Sequence, residues 1–336
     1  MASTRYDVTG VGNAIVDVIA SADDAFLARH TIEKGAMTLI DEARAKELYA
    51  AMGPGQEVSG GSAANTLAGI ASLGGRGAYI GKVADDQLGE IFGHDLRAAG
   101  VDYSTAPLQN GPATARCLIL VTPDAQRSMN TFLGASTLFS KGDVDAERIA
   151  AAEITYLEGY LYDRDEAKAA FVEAARIARS AGRKVALTLS DPFCVDRHRD
   201  SFRDLVANHV DVIFANEAEL KSLYLTEDFD AALASVRAET RIAAITRSEK
   251  GAIITSGSDT VAVPADAIEK LVDTTGAGDL FAAGFLLGLA RGAGLETCAR
   301  LGVMAAGEVI THVGARPLVS LETMARERGL VIPPAS

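Results

Sequence analysis

The chain has 336 residues, of which 48 % are hydrophobic and 23 % are charged. This length suits one large domain or two modest ones, and the composition excludes a disordered or collagen-like chain. The formal net charge of -13 argues against a protein that binds nucleic acid through clustered lysines and arginines. The cysteines at positions 117, 194 and 298 form no CxxC pair, which argues against a structural zinc site or a disulfide framework.

The sequence also contains no segment that predicts secretion or membrane insertion. It begins without the basic region and long apolar stretch of a secretory signal. The strongest apolar run, residues 280–290, is about half of the ~20 residues that a membrane span needs. Together with thiols that suit a reducing compartment, these features predict a cytoplasmic protein with no membrane partner.

Short apolar segments alternate with longer segments of helical period through most of the chain. The apolar segments predict strands at residues 6–11, 77–80, 154–157, 185–189, 212–215 and 242–246. The segments between them predict helices at residues 63–73, 86–99, 165–181, 197–208 and 217–223. This alternation predicts an α/β fold, with a mostly parallel central sheet that is flanked by helices.

Two regions break the alternation and predict a second, small sheet. Each contains two predicted strands without a full crossover helix between them, namely 16–21 with 37–40 and 113–121 with 128–132. The turn-forming sequence Thr-Pro-Asp-Ala at residues 122–125 links the second pair, as in a hairpin. We therefore predict a small β-sheet lid built from insertions at about residues 16–40 and 106–132.

The most informative motif is Asp-Thr-Thr-Gly-Ala-Gly-Asp at residues 273–279, which precedes a segment with the composition of a buried helix. Gly276 and Gly278 allow a tight turn in which several backbone N–H groups converge at the helix N-terminus, and such a terminus binds anions. A carboxylate there, Asp279, is unfavourable beside an anion unless it accepts a proton from an attacking hydroxyl. An ordinary capping aspartate is the alternative, but the glycine pair, the acid and the buried helix together favour function.

Two polar clusters lie near predicted strand ends, where open α/β sheets bind their ligands. Asn13 and Asp17 follow the first strand and are suited to hydrogen bonds with the vicinal hydroxyls of a sugar. Gly60, Gly61 and Asn65 open a predicted helix and would let a ligand approach the backbone closely. Taken singly, each cluster is more simply explained as a tight turn.

Two further clusters follow later predicted strands. Asn216 and Glu219 are suited to orient a hydrated Mg²⁺, and their spacing is also that of a capping box, so both roles are open. Thr246, Ser248 and Gly251 belong to a loop that resembles one that contacts a phosphate or a nucleotide. By itself this loop is a weak signal.

These motifs, in this order, resemble the ribokinase family, the phosphofructokinase-B carbohydrate and nucleoside kinases. The resemblance covers residues 12–314 and implies a single ribokinase-like kinase domain over residues 1–336. Within the family, the sequence is most similar to the adenosine kinase branch. The segments that carry this similarity are 12–17, 24–27, 46–48, 187–193 and 212–217.

The resemblance implies ATP-dependent phosphorylation of the ribose 5′-hydroxyl of a purine nucleoside, adenosine to AMP, in a monomer or dimer. Asp279 would be the general base. The backbone of Gly276, Ala277 and Gly278 would form an anion hole for the transferred phosphoryl group, and Arg127 on the lid would close over the phosphates. Asp17 would hold the ribose hydroxyls, helped by Gly61 and Asn65.

The resemblance also implies sites for the cofactors ATP and Mg²⁺. Thr246 and Gly251 would line the nucleotide side, while Asn216 and Glu219 would organise Mg²⁺ through water. A candidate K⁺ site, similar to the monovalent-cation site of many relatives, is formed by Asp273, Thr275 and the carbonyls near Gly314.

The acceptor base is the point at which the sequence departs from the family pattern. Met37 stands where adenosine kinases of the well-known type place a glutamine near the purine, and the stacking aromatic falls at Tyr160 or Leu161. A guanosine or inosine kinase, a sugar kinase of the ribokinase or fructokinase type, and a nucleotide-binding module without turnover are the alternatives. The apolar residues at the predicted base site favour a flat base over a free sugar; they are Met37, Leu39, Phe132, Leu133 and Tyr160. The intact Asp279 argues against a module without turnover.

Overall fold

A computed structural model describes residues 4–124 and 126–335 of the chain. Its strands, in chain order, are β1 (Tyr6–Val11), β2 (Ile15–Ser21), β3 (Met37–Leu39), β4 (Gly55–Gly60), β5 (Gly77–Ile80), β6 (Val101–Tyr103), β7 (Ala115–Val121), β8 (Arg127–Phe132), β9 (Ala152–Glu158), β10 (Lys184–Thr188), β11 (Val212–Asn216), β12 (Ile242–Thr246), β13 (Ala252–Ser256) and β14 (Asp259–Val263). They form a sheet of nine strands and a sheet of five.

The α-helices of the described residues, in chain order, are α1 (Asp24–Arg29), α2 (Glu42–Ala51), α3 (Ser62–Ser72), α4 (Gln87–Ala98), α5 (Ala146–Ala150), α6 (Asp165–Ser180), α7 (Pro192–His209), α8 (Glu217–Tyr224), α9 (Phe229–Glu239), α10 (Ala277–Ala290), α11 (Leu295–Val309) and α12 (Leu321–Glu327). None of these helices combines the length and the apolar character that crossing a bilayer requires.

The large sheet has the strand order β14-β13-β12-β11-β10-β9-β1-β5-β6. Within this sheet, the neighbouring strands β6, β5, β1, β9, β10, β11 and β12 pair in parallel. Strands β13 and β14 then add an antiparallel edge beside β12. All six residues of β1 are buried, because helices cover both faces of a parallel sheet. This architecture confirms the predicted α/β fold, and β1, β5 and β12 begin and end at the predicted residues.

The small sheet has the strand order β3-β8-β7-β2-β4. Strands β7 and β8 form the predicted antiparallel hairpin, although Ala125 of the predicted turn lies outside the described residues. Strand β4 pairs with β2, so the small sheet extends beyond the predicted insertion at 16–40 to residue 60. The helix that we expected to begin at residue 197 begins at Pro192, because the Asp191 side chain accepts a hydrogen bond from the Cys194 N–H and caps it.

Candidate active site

The glycine motif forms the turn into α10, as the sequence predicts. Gly276 is the N-cap residue and has a φ of 80°, in the left-handed region that favours glycine. A Cβ at this position would lie 2.8 Å from the Cα and carbonyl oxygen of Ala315, so only glycine lets the two loops approach. The first N–H groups of α10 lack partners within the helix, which suits the turn to an anion, although the Ala277 N–H donates to the Thr274 carbonyl oxygen at 3.2 Å.

Asp279 lies in the first turn of α10 and contacts the first turn of α3. Ser62 Oγ donates a hydrogen bond to Asp279 Oδ1 at 2.6 Å, and Asn65 Nδ2 donates to Oδ2 at 3.1 Å. Burial raises the pKa of Asp279 to about 6, and these hydrogen bonds oppose the increase. A carboxylate accepts about four hydrogen bonds, so acceptor sites remain for a substrate hydroxyl.

Asp17 lies on β2 of the small sheet. A Cβ on Gly60 would lie 2.3 Å from Asp17 Oδ2, so the glycine in β4 makes room for this carboxylate. Burial raises the pKa of Asp17 to about 6; the Asp279 charge adds to the increase, while Arg127 and Arg316 oppose it. The effect of the Asp279 charge on the pKa of Asp17 indicates that the two acids lie near each other.

The turn before α3 brings Gly61 and Asn65 close to the segment that follows β1. Gly61 has a φ of 94°, and a Cβ there would lie 2.4 Å from the carbonyl oxygen of Asn13. This close approach packs the start of α3 against the segment that follows β1, so that Asn65 reaches Asp279.

Two of the predicted substrate-contacting residues, Asn13 and Leu161, are buried in the structure. Asn13 is 2 % exposed, and its side-chain amide donates to Glu158 Oε1 at 2.8 Å. Leu161 is 4 % exposed and packs in the hydrophobic core beside α6. Tyr160 is 37 % exposed and is therefore the residue of this pair that remains available to a ligand.

A cavity of about 220 Å³ lies beside the small sheet, and its walls are mainly apolar. It is lined by Leu39, Ile40, Pro112, Thr131, Phe132, Leu133, Gly134 and Thr137. Phe132 is thus placed as predicted, whereas Met37 lies on the exposed edge strand β3, is 45 % exposed and does not line the cavity. The apolar wall suits a flat, weakly polar group.

A second cavity, of about 930 Å³, opens at the carboxyl ends of β11 and β12. Asn216, Thr246 and Ser248 line it, so the structure brings these predicted nucleotide-side residues together. Gly251 is not among its lining residues. It has a φ of 83°, and a Cβ there would lie 2.0 Å from the carbonyl oxygen of Val263, so Gly251 shapes the turn into β13.

Asn216 and Glu219 form the capping box of α8. The Glu219 N–H donates to Asn216 Oδ1 at 2.9 Å, and Glu219 accepts from the backbone and side-chain nitrogens of Asn216. Burial raises the pKa of Glu219 to about 7. Since the two side chains satisfy each other, neither fits as a direct ligand of Mg²⁺, and no metal-binding group of three or more acids, histidines and cysteines occurs in the described residues.

The candidate K⁺ residues do converge, but their oxygens are already occupied. Asp273 Oδ1 accepts from the N–H and the hydroxyl of Thr275 at 3.0 and 2.7 Å. Asp273 Oδ2 accepts from the Gly314 N–H at 3.0 Å and forms an ion pair with Arg127. These four donors occupy the Asp273 carboxylate, and the Arg127 guanidinium balances its negative charge. The Asp273 side chain therefore has no free acceptor for K⁺ in this arrangement, and the K⁺ site stays a prediction.

Two residues that the sequence analysis missed hold the site together. Glu158, at the end of β9, is 1 % exposed and accepts hydrogen bonds from Asn13 and from the Ala63 N–H in the first turn of α3. Burial raises the pKa of Glu158 to about 7. Arg316 donates through Nε to Asn65 Oδ1 at 3.4 Å. Glu158 could have been predicted as a functional residue because it is a charged residue at the end of an apolar strand. No local sequence feature distinguishes Arg316.

Comparison with known proteins identifies the family. The model of the pfkB family carbohydrate kinases matches residues 36–323. The chain belongs to this family. It is therefore an ATP-dependent phosphotransferase, which confirms the predicted class of enzyme.

The chain is also similar to individual members of the family. It is 30 % identical to an adenosine kinase of Saccharomyces cerevisiae over 90 % of this chain and 94 % of that protein. The structure of an adenosine kinase from Sinorhizobium meliloti is 55 % identical, with a TM-score of 0.90 over 96 % of this chain and 99 % of that one. A probable sugar kinase from Rhizobium etli CFN 42 is 53 % identical, with a TM-score of 0.91 over 98 % and 100 %.

Proposed function

We propose that this protein transfers the terminal phosphoryl group of ATP to the ribose 5′-hydroxyl of a purine nucleoside, with adenosine as the preferred acceptor. The observation that carries the proposal is the position of Asp279, a carboxylate in the first turn of a helix whose N-terminus is otherwise built for an anion. The similarity to proteins named adenosine kinase supports the choice of acceptor.

The acceptor side consists of two acids with different tasks. Asp17 binds the vicinal ribose hydroxyls, and this places the 5′-hydroxyl beside Asp279. Asp279, held by Ser62 and Asn65, accepts the proton of that hydroxyl as the oxygen attacks phosphorus. The N–H groups of residues 276–278 stabilise the charge that develops on the transferred phosphoryl group.

The donor side lies at the second cavity, where Asn216, Thr246 and Ser248 face the nucleotide. Asn216 and Glu219 would hold Mg²⁺ through water, and the ion would neutralise charge on the ATP phosphates. Arg127 approaches the phosphates from the small sheet, which acts as a lid and excludes water from the reaction. A kinase of this specificity fits purine salvage in the cytoplasm.

Apolar residues at the first cavity favour a purine over a free sugar. Leu39, Phe132 and Leu133 offer a wall for a flat ring, whereas the hydroxyl groups of a hexose need polar partners. The similarity to a probable sugar kinase makes a sugar the relevant second candidate for the test.

The direct test is a substrate panel. Purified protein is incubated with Mg-ATP and, separately, with adenosine, guanosine, inosine, ribose and fructose, and the release of ADP is measured. We expect the highest kcat/KM for adenosine, with 5′-AMP as the product. A higher kcat/KM for fructose or ribose than for every nucleoside would refute the proposal.

A further inference from the structure

Arg316 follows the loop that packs against the glycine turn, and it reaches across to α3. The neighbouring Ala315 lies against Gly276, and the N–H of Gly314 donates to Asp273 at 3.0 Å. This short loop therefore contacts the start of the glycine motif and its anion hole, and it also carries the guanidinium to Asn65.

The contact with Arg316 fixes the orientation of the Asn65 amide. An arginine has only donors, so it faces the oxygen end of the amide, and the Nε–Oδ1 distance is 3.4 Å. An ionised carboxylate has only acceptors, so Asp279 faces the nitrogen end, and the Nδ2–Oδ2 distance is 3.1 Å. With both ends held, Asn65 cannot turn its oxygen toward Asp279, where it would repel the carboxylate.

The electrostatic surroundings explain why an arginine is used at this position. The guanidinium is largely buried, which lowers the pKa of Arg316, and its attraction to Asp95 and Asp17 opposes that decrease. Its Nη2 has no hydrogen-bond partner among the described residues. Arg127 is already paired with Asp273, so Arg316 is a second positive charge acting on the Asp17 carboxylate.

We propose that Arg316 is a positioning residue for phosphoryl transfer, which fixes the amide of Asn65 so that its nitrogen faces Asp279. The role rests on the proposed function, because it matters only if Asp279 accepts the proton of the acceptor hydroxyl. Arg316 itself acts through Asn65. Loss of the Arg316 guanidinium lets the Asn65 amide turn. The Asp279 carboxylate then loses one of its two hydrogen-bond donors and faces the amide oxygen, which repels it.

The experiment compares Arg316→Met, Arg316→Lys and the wild type in the dependence of kcat on pH. Other groups act on the site from several elements, and all are left unchanged: Asp17 on β2, Ser62 on α3, Tyr156 and Glu158 on β9, and Tyr160 after β9. We expect Arg316→Met to lower kcat/KM by roughly 10- to 100-fold, the range for a small misplacement of reacting groups. We also expect the acid limb of kcat to move to higher pH by about half a unit or more.

Two further variants separate positioning from a general loss of stability. Asn65→Ala removes the amide, so adding Arg316→Met to it should leave kcat within about threefold of Asn65→Ala alone, because residues that act as a unit are non-additive. Arg316→Lys keeps the charge and a donor, and should retain more activity than Arg316→Met. Arg326→Met, an exposed arginine of α12, is the matched control and should behave like the wild type.

An unshifted acid limb in Arg316→Met, or losses that multiply in the double variant, would overturn the role of Arg316. If Arg316→Met fails to fold, Arg316→Lys, alone and combined with Asn65→Ala, provides the same comparison. These outcomes are distinct from failure of the proposed function, in which the wild type itself phosphorylates no nucleoside.

Discussion

Arg127, the first residue of β8 in the small sheet, forms an ion pair with Asp273, the first residue of the glycine motif. The pair is largely buried, since the side chains are 13 % and 5 % exposed. It joins the small sheet to the loop that leads into α10. On the proposed function, we expect an arriving phosphoryl group to compete with Asp273 for the same guanidinium, which would couple the lid to the anion hole.

Replacement of Arg127 tests this coupling. Arg127→Ala should lower kcat more than it weakens nucleoside binding, because the guanidinium meets the transferred phosphoryl group rather than the ribose. Steady-state kinetics and direct nucleoside titration measure the two effects. Arg44→Ala, which removes an arginine of α2 that pairs with Glu47, is the control. A rise in the nucleoside Kd with an unchanged kcat would contradict the assignment.

Lid closure is tested by hydrogen exchange across the hairpin of β7 and β8. We expect saturating nucleoside to increase protection there, because residues of the small sheet contact both substrates only when it folds over the cleft. The antiparallel hairpin of β13 and β14 lies at the far edge of the large sheet and is the internal control. Unchanged protection of β7 and β8 would indicate a rigid, pre-closed site.

Asp17 should determine the preference for ribonucleosides. Asp17→Ala should raise the KM for adenosine sharply, since the ribose hydroxyls lose their acceptor. The native enzyme should also discriminate against 2′-deoxyadenosine, because a missing hydroxyl leaves the buried carboxylate unpaired. Comparison of kcat/KM for adenosine and 2′-deoxyadenosine measures this. Equal values would refute the role of Asp17.

The raised pKa of Asp279, about 6, predicts how activity depends on pH. A general base acts in its ionised form, so kcat should fall as the pH decreases through about 6. The Ser62 hydrogen bond lowers the pKa of Asp279, so Ser62→Ala should move this limb to higher pH. Rates measured between pH 5 and 8 at saturating substrates test the prediction. A limb that moves to lower pH in Ser62→Ala would contradict it.

Glu158 should make the stability of the protein depend on pH. Burial raises the pKa of Glu158 in the folded state to about 7, above its usual value of 4.5. Folding therefore favours the protonated form, and the contribution of Glu158 to the free energy of unfolding decreases as the pH rises from about 4.5 to about 7. Urea unfolding at several pH values should show a flatter dependence in Glu158→Gln than in the wild type. Glu147→Gln, at an exposed position of α5, should retain the wild-type slope.

Much of the large sheet was predictable because its strands are locally distinctive. Strands β1, β5 and β12 are short apolar runs between polar segments, and their bounds were predicted without error. The edge strands β13 and β14 were not predicted. The residues of β14 are mostly exposed, so β14 lacks the continuous apolar run of a strand buried on both faces. For β4 the sequence predicts only a short strand at residues 57–59, and the pairing of β4 with β2 depends on contacts distant in sequence.

The candidate site was likewise predictable from the sequence only in part. The glycine turn and its acid are contiguous, so their sequence alone predicts a helix N-terminus with Asp279 in its first turn. Glu158 and Arg316 act through partners 95 and 251 positions away in the chain, Ala63 and Asn65 respectively. No spacing rule relates such pairs, because only the tertiary fold brings them together. For the same reason, the ion pair of Arg127 with Asp273 was not foreseen.

The central claim is that Asp279 is the general base for phosphorylation of a nucleoside. The most direct measurement is kcat for Asp279→Asn with adenosine and Mg-ATP, together with the Kd for adenosine. Asp228→Asn, which changes the N-cap aspartate of α9, is the matched control and should retain wild-type kcat. We predict that Asp279→Asn lowers kcat by at least ~10²-fold, as the loss of a general base does, while the Kd for adenosine changes little. A kcat near that of the wild type would contradict the account.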